Sequence, residues 1–407
     1  MTNNQSKIEK LITELCPDGV VYKEMSKVLK PKENIHWDNS TGNKFQYIDL
    51  SSVNRATHKI SDTTEINTES APSRAQQIVH KGDVIFGTTR PTLKRYSIIG
   101  EDFDGQIAST GFCILRPNKE ILTDFLFHLI GSSDFNEYVD FTQKGASYPA
   151  ISDAEVKKFK IPVPPLAIQE EIVKILNSFT ELEAELEAEL EARDKQYKYY
   201  RDSLIDNSSA YRSLGDVGIF VRGNGLQKKD FTESGVGCIH YGQIYTYYGT
   251  YADITKSFVS EEFANKLKRA KKGNLVIAAT SENVEDVCKA VAWLGDEEIA
   301  VSGDAYIYRH NQNPKFMSYI FKTQMFFDQK KKYTTGTKVI RVSGDNMGKI
   351  KIPLPDLEEQ ERIVSILDKF DALVNDISIG LPAELNSRRQ QYENYRNKLL
   401  TFKEYVG

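Results

Sequence analysis

Arginine, lysine and amide side chains gather in this chain in short loops punctuated by glycine. The chemistry such loops offer is the binding of phosphate and the reading of base edges. In the first half stand Thr88, Thr89, Arg90, Lys94 and Arg95, followed by Lys144, Ser147 and Tyr148 in the run KGASY. The second half carries RGNGLQKK at 222–229, with Arg222, Asn224, Gln227, Lys228 and Lys229. Glycine in that loop is suited to close backbone approach. Beyond it come His240, Tyr241, Gln243, Tyr245, Tyr247 and Tyr248, then Lys266, Lys268, Arg269, Lys271 and Lys272, with Ser281 after them. Lys330, Lys331 and Lys332 precede Gly336 and Lys338. Lys and Arg neutralise phosphates whatever the sequence, whereas Arg, Asn, Gln, Ser and Thr can discriminate bases. Any one of these runs also reads as an ordinary solvated surface. What favours nucleic acid is that basic loops stand at matching places in both halves.

Catalytic patterns are missing. There is no GxxxxGK[ST] phosphate loop, no Gly-rich dinucleotide fingerprint, no HExxH and no GxSxG. NPKF from Asn313 lacks the second proline and the tyrosine of an amino-methyltransferase NPPY, and Glu155, Val156 and Lys157 match only the tail of a nuclease pattern. Cys16, Cys113, Cys238 and Cys288 are scattered, with no CxxC pair, and read as buried thiols rather than zinc ligands or disulfides. The six histidines have no partners at ligand spacing. Acidic and basic residues nearly balance, 57 against 53, so any charge argument has to be local. A hydrophobic content of 40% is enough for folded cores. No apolar run approaches about 18 residues and the N-terminus lacks a signal-peptide core, so a soluble cytoplasmic protein is expected.

A duplicated plan must position the loops. Residues 161–179, IPVPPLAIQEEIVKILNSF, return as 352–370, IPLPDLEEQERIVSILDKF, at a constant offset of 191. At the same offset KGDVIFGTT at 81–89 answers KGNLVIAAT at 272–280, and Gly145 and Ser152 answer Gly336 and Ser343. VYKEMSKV at 21–28 is echoed by AYRSLGDV at 210–217, and IASTG from Ile107 by IAVSG from Ile299. A helix follows the strands in each copy, TDFLFHLIGS and PKFMSYIFKT. Strands first and a helix later indicate α+β domains. With 407 residues the expected division is an N-terminal helix within 1–20, a first domain at 21–160, a helical spacer at 161–209, a second domain at 210–351 and a second helical spacer at 352–407.

Each domain ends in Ile-Pro-x-Pro, where proline stops a strand and opens a helix. The first helix shows an apolar seam of Ile172, Ile175, Phe179, Leu182, Leu186, Leu190, Tyr197, Tyr200 and Leu204. The second shows Ile363, Ile366, Phe370, Leu373, Ile377, Leu381, Leu385, Tyr392, Tyr395 and Leu399. So narrow a seam predicts coiled-coil rods, the first roughly 60 Å long, packed antiparallel. Phe179 and Phe370 differ by 191 but Tyr200 and Tyr395 by 195, so the second rod is four residues longer. Gly380 and Pro382 predict a break there. The first rod instead repeats ELEA from Glu181, Glu185 and Glu189. That run reads either as a solvated coiled-coil face or as a ruler whose copy number sets rod length.

Two variable domains, each followed by Ile-Pro-x-Pro, a downstream glutamine (Gln169, Gln360) and a long helix ending in QYxxYR (196–201, 391–396), resemble the DNA specificity subunit of type I restriction-modification systems. The resemblance implies an α+β fold with two globular target recognition domains in a pseudo-two-fold, circular arrangement, separated by two long antiparallel coiled-coil helices. It implies that each domain reads one half of a bipartite asymmetric site in double-stranded DNA. The helices would set the spacing and dock two modification subunits, which carry S-adenosylmethionine and methylate adenine. Two restriction subunits would add ATP- and Mg-dependent translocation and cleavage. The chain itself would hold no active site, metal or cofactor. Candidate DNA contacts are Thr89, Arg90, Lys94, Arg95, Lys144, Ser147, Tyr148, Arg222, Asn224, Gln227, Lys228, Lys229, Tyr241, Gln243, Ser281, Lys331, Lys332 and Lys338. Spacer and partner positions are Gln169, Ile172, Phe179, Tyr197, Tyr200, Gln360, Ile363, Phe370, Tyr392 and Tyr395. Two other classes stay open: a nuclease or methyltransferase fused to such domains, and a coiled-coil scaffold that binds proteins but no DNA.

Overall fold

The computed structural model describes residues 6–40, 42–207, 210–376 and 379–406, so Gln5 and Ile377 of the expected helices lie outside the described residues. The chain divides into two compact units: Met1–Leu186 with Leu385–Gly407, and Glu187–Glu384. Both divisions fall inside helices, the 41-residue Leu166–Asp206 and the later Leu381–Leu399. Each unit therefore owns one variable domain, the opening of one copy's helix and the closing stretch of the other's.

The duplicated sequence folds into duplicated pairings. In unit 1, Val84–Gly87 lies antiparallel to Phe112–Pro117; in unit 2, Leu275–Ala278 lies antiparallel to Ala305–His310. Phe45–Ile48 runs parallel to Ile107–Ser109, and Val236–Ile239 parallel to Ile299–Val301. All four residues of VIFG and of LVIA are buried, which is why these strands read as unbroken apolar runs rather than alternations. Each unit holds one four-stranded and one five-stranded sheet. Lys160–Pro162 and Lys351–Pro353 each close a domain by pairing with its first strand, Tyr22–Glu24 or Tyr211–Ser213. Mixed α and β structure with a central helix is thus the observed class.

The central helix is buried at its ends and thin in its middle. Ile168, Ile172 and Leu176 are buried in unit 1 and Tyr197, Arg201 and Ile205 in unit 2, while Leu182 stays 46% exposed. Of the expected seam, Ile172 and Tyr197 are buried and Ile175, Leu190 and Leu204 pack on the cores, while Ile168, Leu176 and Ile205 are buried beside it as each end sinks into its domain. The second helical stretch stops at Asn375 and restarts at Leu381. Gly380 explains the break: a Cβ there would lie 2.4 Å from the Ala372 carbonyl oxygen and 2.7 Å from that of Leu373. Pro382 then occupies the first turn, where no amide donor is needed.

Matching aromatic pairs hold the helices within each unit. Phe179 stacks on Tyr395 at 5.3 Å, and Phe370 on Tyr200 at 5.7 Å. The N-terminal helix Lys7–Leu15, closed by a Ser6–Glu9 capping box, packs Ile8, Leu11 and Ile12 into the cluster that holds Leu399, Leu400 and Phe402. The Val20 amide donates to the Lys403 carbonyl at 2.8 Å, and the Tyr405 amide to that of Val20 at 2.9 Å.

A buried histidine adds to the acid sensitivity of unit 1. His128 is 1% exposed, its ring nitrogens 2.8 Å from the Tyr392 hydroxyl and 2.8 Å from Asn177 Oδ1. Burial pushes its pKa down to about 4. The unfolded chain binds the proton near pH 6.5, so this histidine's contribution to stability is full above that pH and is lost as pH falls toward 4. Urea denaturation should therefore show about 2 kcal/mol lost between pH 7.5 and 5 on its account. His128→Gln should reduce the slope there, leaving the part due to His58, which burial also pushes down to about 4; an unchanged slope would contradict the assignment.

Candidate nucleic-acid interface

In unit 1 the strand Val84–Gly87 runs on through Thr88, whose hydroxyl donates to the Gly111 carbonyl at 2.9 Å, to Thr89 and Arg90. There it meets a hairpin. Lys144 and Ala150 exchange two backbone hydrogen bonds of 2.8 Å, and the Arg90 amide donates to the Pro149 carbonyl at 2.7 Å. Gly145, at φ +102°, makes the turn possible, since a Cβ would sit 2.9 Å from the Tyr148 carbonyl oxygen. Across this junction the Arg90 guanidinium lies 4.5 Å over the ring of Tyr148, itself 70% exposed. Lys144 and Ser147 face solvent beside it.

Arg90 and Lys94 flank the 3-10 turn Pro91–Leu93, and both take left-handed backbone, φ +50° and +51°. Non-glycine residues pay about 1 kcal/mol or more for that conformation, and such strain concentrates at functional sites. Here it is held at two exposed cations. Arg95 differs: half-buried, it donates to the Leu50 carbonyl, and burial followed by the charge of Arg55 lowers its pKa. That bond fixes the loop carrying exposed Arg55 and Lys59, two cations the sequence reading passed over. Their only signal was polar and basic composition, since no counterpart recurs in the second copy.

Unit 2 repeats the hairpin with other side chains. Thr280–Ser281 pairs with Ile340–Arg341, and Thr335 and Arg341 exchange backbone bonds of 2.9 Å. Gly336, at φ +93°, would place a Cβ 2.2 Å from the Val339 carbonyl oxygen. Lys338 thus stands where Ser147 does, and Val339 where Tyr148 does. Lys331 and Lys332 are exposed on the preceding 3-10 turn. Lys330 turns inward, donating to the carbonyls of Glu285 at 2.8 Å and Val287 at 2.6 Å, and burial lowers its pKa.

A second cationic patch gathers around the end of the strand Gly218–Arg222. Arg222 is exposed and bonds the Gly303 carbonyl through Nε at 2.9 Å. Gly223 is demanded by the chain itself, because a Cβ would fall 2.2 Å from the Ser302 carbonyl oxygen; the close approach is to protein backbone. Asn224 donates to the Lys266 carbonyl at 2.9 Å and accepts from the Lys268 amide at 2.7 Å, tying two basic loops together. Gln243, only 9% exposed, accepts from the His240 amide at 2.9 Å and donates to Ser257 Oγ at 2.7 Å. Tyr241 is half-buried, its amide bonded to Ser302 Oγ at 2.9 Å. Asn224 and Gln243 hold the scaffold, whereas Gln227, Lys228 and Lys229 face water. The Tyr245 hydroxyl donates to the Thr280 carbonyl at 2.6 Å and so links this patch to the hairpin strand.

The glutamines of the repeat form the joint between domain and helix. Gln169 Oε1 accepts from the Leu122 amide at 2.9 Å, and Nε2 donates to the carbonyls of Glu120 at 2.9 Å and Pro164 at 2.8 Å. Gln360 accepts from the Asn313 amide at 3.0 Å and donates to Gln312 Oε1 and the Pro355 carbonyl, both at 2.8 Å. Both are fully buried, as are Ile172 and Ile363. The Tyr197 hydroxyl donates to Asp371 Oδ1 at 3.0 Å, and Tyr392 meets His128. Tyr200 and Tyr395, stacked on Phe370 and Phe179, remain 41% and 45% exposed. Among the described residues no group of three or more His, Cys, Asp and Glu could hold a metal, and no helix is long and apolar enough to cross a membrane.

Comparison with known proteins agrees with this duplicated build. The family model for the type I restriction modification DNA specificity domain matches residues 22–192 and again 208–387. A putative type I restriction enzyme specificity subunit of Haemophilus influenzae is 31% identical over 313 residues, covering 71% of this chain and 74% of that protein. A type I restriction enzyme specificity subunit of Escherichia coli is 33% identical over 264 residues, 62% of this chain and 65% of that one. Among solved structures, a chain from work on complex assembly and conformational transition of the type I R-M system has the same fold, with a TM-score of 0.63 at 24% identity, covering 95% of this chain and 98% of its own.

Proposed function

The chain belongs to the type I restriction-modification DNA specificity family, and we propose that each of its units reads one half of a bipartite, asymmetric site in double-stranded DNA. The observation that carries this reading is the pair of hairpins at 144–150 and 335–341. They share backbone geometry and a left-handed glycine, yet present Lys144, Ser147 and Tyr148 in one case and Lys338 and Val339 in the other. A common scaffold with unlike tips is what two unrelated half-sites require. Exposed lysines supply phosphate contacts and a steep salt dependence; Arg90, Arg222 and Gln227 supply the forked or paired donors that distinguish bases.

In this reading the chain contributes recognition and assembly. The exposed edges of the Phe179–Tyr395 and Phe370–Tyr200 stacks are the docking places for two modification subunits, which carry S-adenosylmethionine and methylate adenine. Two restriction subunits, using ATP and Mg, complete the nuclease. The ELEA run at 181–192 lies where the chain passes from unit 1 into unit 2, between Leu186 and Glu187, and acts as the spacing ruler. Removing one unit shortens the helix by about 6 Å and turns it by about 40°. Methylome sequencing of a host expressing the chain with its modification partner should show a bipartite motif. Deletion of one ELEA unit should keep both half-sites and change the spacer alone. An unaltered spacer would remove the ruler, and a continuous, undivided motif would remove the two-unit reading.

A further inference from the structure

Of the five described non-glycine residues with left-handed backbone, four stand in two neighbouring loops of unit 1: His58 and Asp62 in one, Arg90 and Lys94 in the other. Strain of this kind persists only where the surroundings over-determine it. The first loop is a closed turn. Val53 bridges Ile60, the Asn54 amide donates to the Lys59 carbonyl at 3.0 Å, and Asn54 Oδ1 accepts from the amides of Ala56 at 2.8 Å and Thr57 at 3.0 Å. Its tip presents Arg55 to water, with Lys59 exposed on the returning arm.

Three contacts clamp this turn against the second loop. The Arg95 guanidinium donates to the Leu50 carbonyl, and the His58 ring stacks on Tyr96 with centroids 3.8 Å apart. Leu50 fills a notch between Gly87 and Gly111, where a Cβ on either glycine would come 3.1 Å from one of its methyl carbons. At the 191-residue offset the second copy has Ala278 in place of Gly87, so the notch belongs to unit 1. The clamp gathers Arg55, Lys59, Arg90 and Lys94, none of which has an ion-pair partner among the described residues. Their charges reach their neighbours: burial and then Arg55 lower the Arg95 pKa, and burial, Arg396 and then Lys94 lower that of His58. The two carboxylates at the foot of the turn are engaged locally. Asp49 Oδ1 accepts from the amides of Ser51 at 2.7 Å and Ser52 at 3.0 Å, and Asp62 accepts from the Ser61 hydroxyl at 3.2 Å. Like charges held together on strained backbone are compensated when a polyanion lies across them.

We propose that Arg55 is a specificity-determining residue of unit 1: the turn 53–60 enters the major groove of its half-site, Arg55 binds a guanine through O6 and N7, and Lys59 and Lys94 hold flanking phosphates. The proposal rests on the DNA-reading function above. The major groove, about 12 Å wide, admits a two-stranded ribbon, and the forked guanidinium matches the paired acceptors of guanine.

The test uses the full chain assembled with its modification partner and a duplex bearing the motif found by methylome sequencing. Each base pair of both half-sites is changed in turn, and binding is read by competition anisotropy. R55A should lose discrimination at one G·C pair of the unit 1 half-site and bind the cognate duplex about tenfold to a hundredfold more weakly, with assembly and melting temperature unchanged. R55K, which keeps the charge without the fork, should keep the salt slope and still lose that discrimination. Replacing that guanine by 7-deazaguanine should weaken the wild type and leave R55A indifferent, the signature of a contact to N7. R55A discriminating as the wild type does at every position would overturn the proposal. So would a weakening equal for all sequences, which would make Arg55 a phosphate contact, or a loss of assembly, which would make it a protein contact. A wild-type complex with no sequence preference would instead overturn the DNA-reading function on which the proposal rests.

Discussion

Gln169→Ala is expected to lower the stability of unit 1 by about 3 kcal/mol. The substitution strips the partners from the Leu122 amide and the Glu120 and Pro164 carbonyls around a side chain that has no exposed surface of its own. Each buried backbone group left without a partner costs about 1–3 kcal/mol, and partial rehydration keeps the sum toward the low end. Gln360→Ala should act alike on unit 2 through Asn313 and Pro355. Urea denaturation and hydrogen exchange would locate each loss: at Thr123–Gly131 for Gln169 and at Pro314–Ile320 for Gln360, the helices that begin beside these bonds. A loss below about 1 kcal/mol would mean the amides are dispensable, and the joint would need another explanation.

Arg90→Ala should weaken binding to the methylated motif by about 2 kcal/mol, roughly thirtyfold, and relax discrimination in one half-site only. Arg90 combines the three features expected of a reader: strained left-handed backbone, solvent exposure, and a guanidinium held over Tyr148. Lys144→Ala offers the contrast. It should weaken binding evenly across sequences and reduce the salt slope by about one. Anisotropy titrations at several salt concentrations separate the two. Relaxed specificity in both half-sites with Arg90→Ala would place the residue outside unit 1's reading surface.

How far the sequence could be read depended on whether a feature recurs. The 191-residue offset carried the joint, the strands Val84–Gly87 and Leu275–Ala278 and the two hairpins, because Gly145 and Gly336 are needed for the same turn in both copies. The break near Gly380 was also legible, since the four extra residues and Gly380 and Pro382 stand together. What stayed hidden was which way a side chain faces. Asn224 and Gln243 look like base readers in sequence, but strands folded from distant segments bring them Lys266, Lys268 and Ser257 as partners. Lys330 is indistinguishable from Lys331 and Lys332 until two carbonyls turn it inward. The buried face of the central helix broadens at its ends to take in Ile168, Leu176 and Ile205 because each end packs into a domain, a tertiary effect that heptad spacing does not encode. Exposed Arg55 and Lys59 have no basic counterpart in the second copy, so the repeat gave them no emphasis.

The central claim is that each unit reads one half-site independently on a shared scaffold. Exchange of residues 21–160 for the same segment of another family member, followed by methylome sequencing of a host carrying the chimera and its modification partner, tests it most directly. One half-site should change, with the other half and the spacer retained. If both halves changed together, or neither did, the two units would not be separate readers.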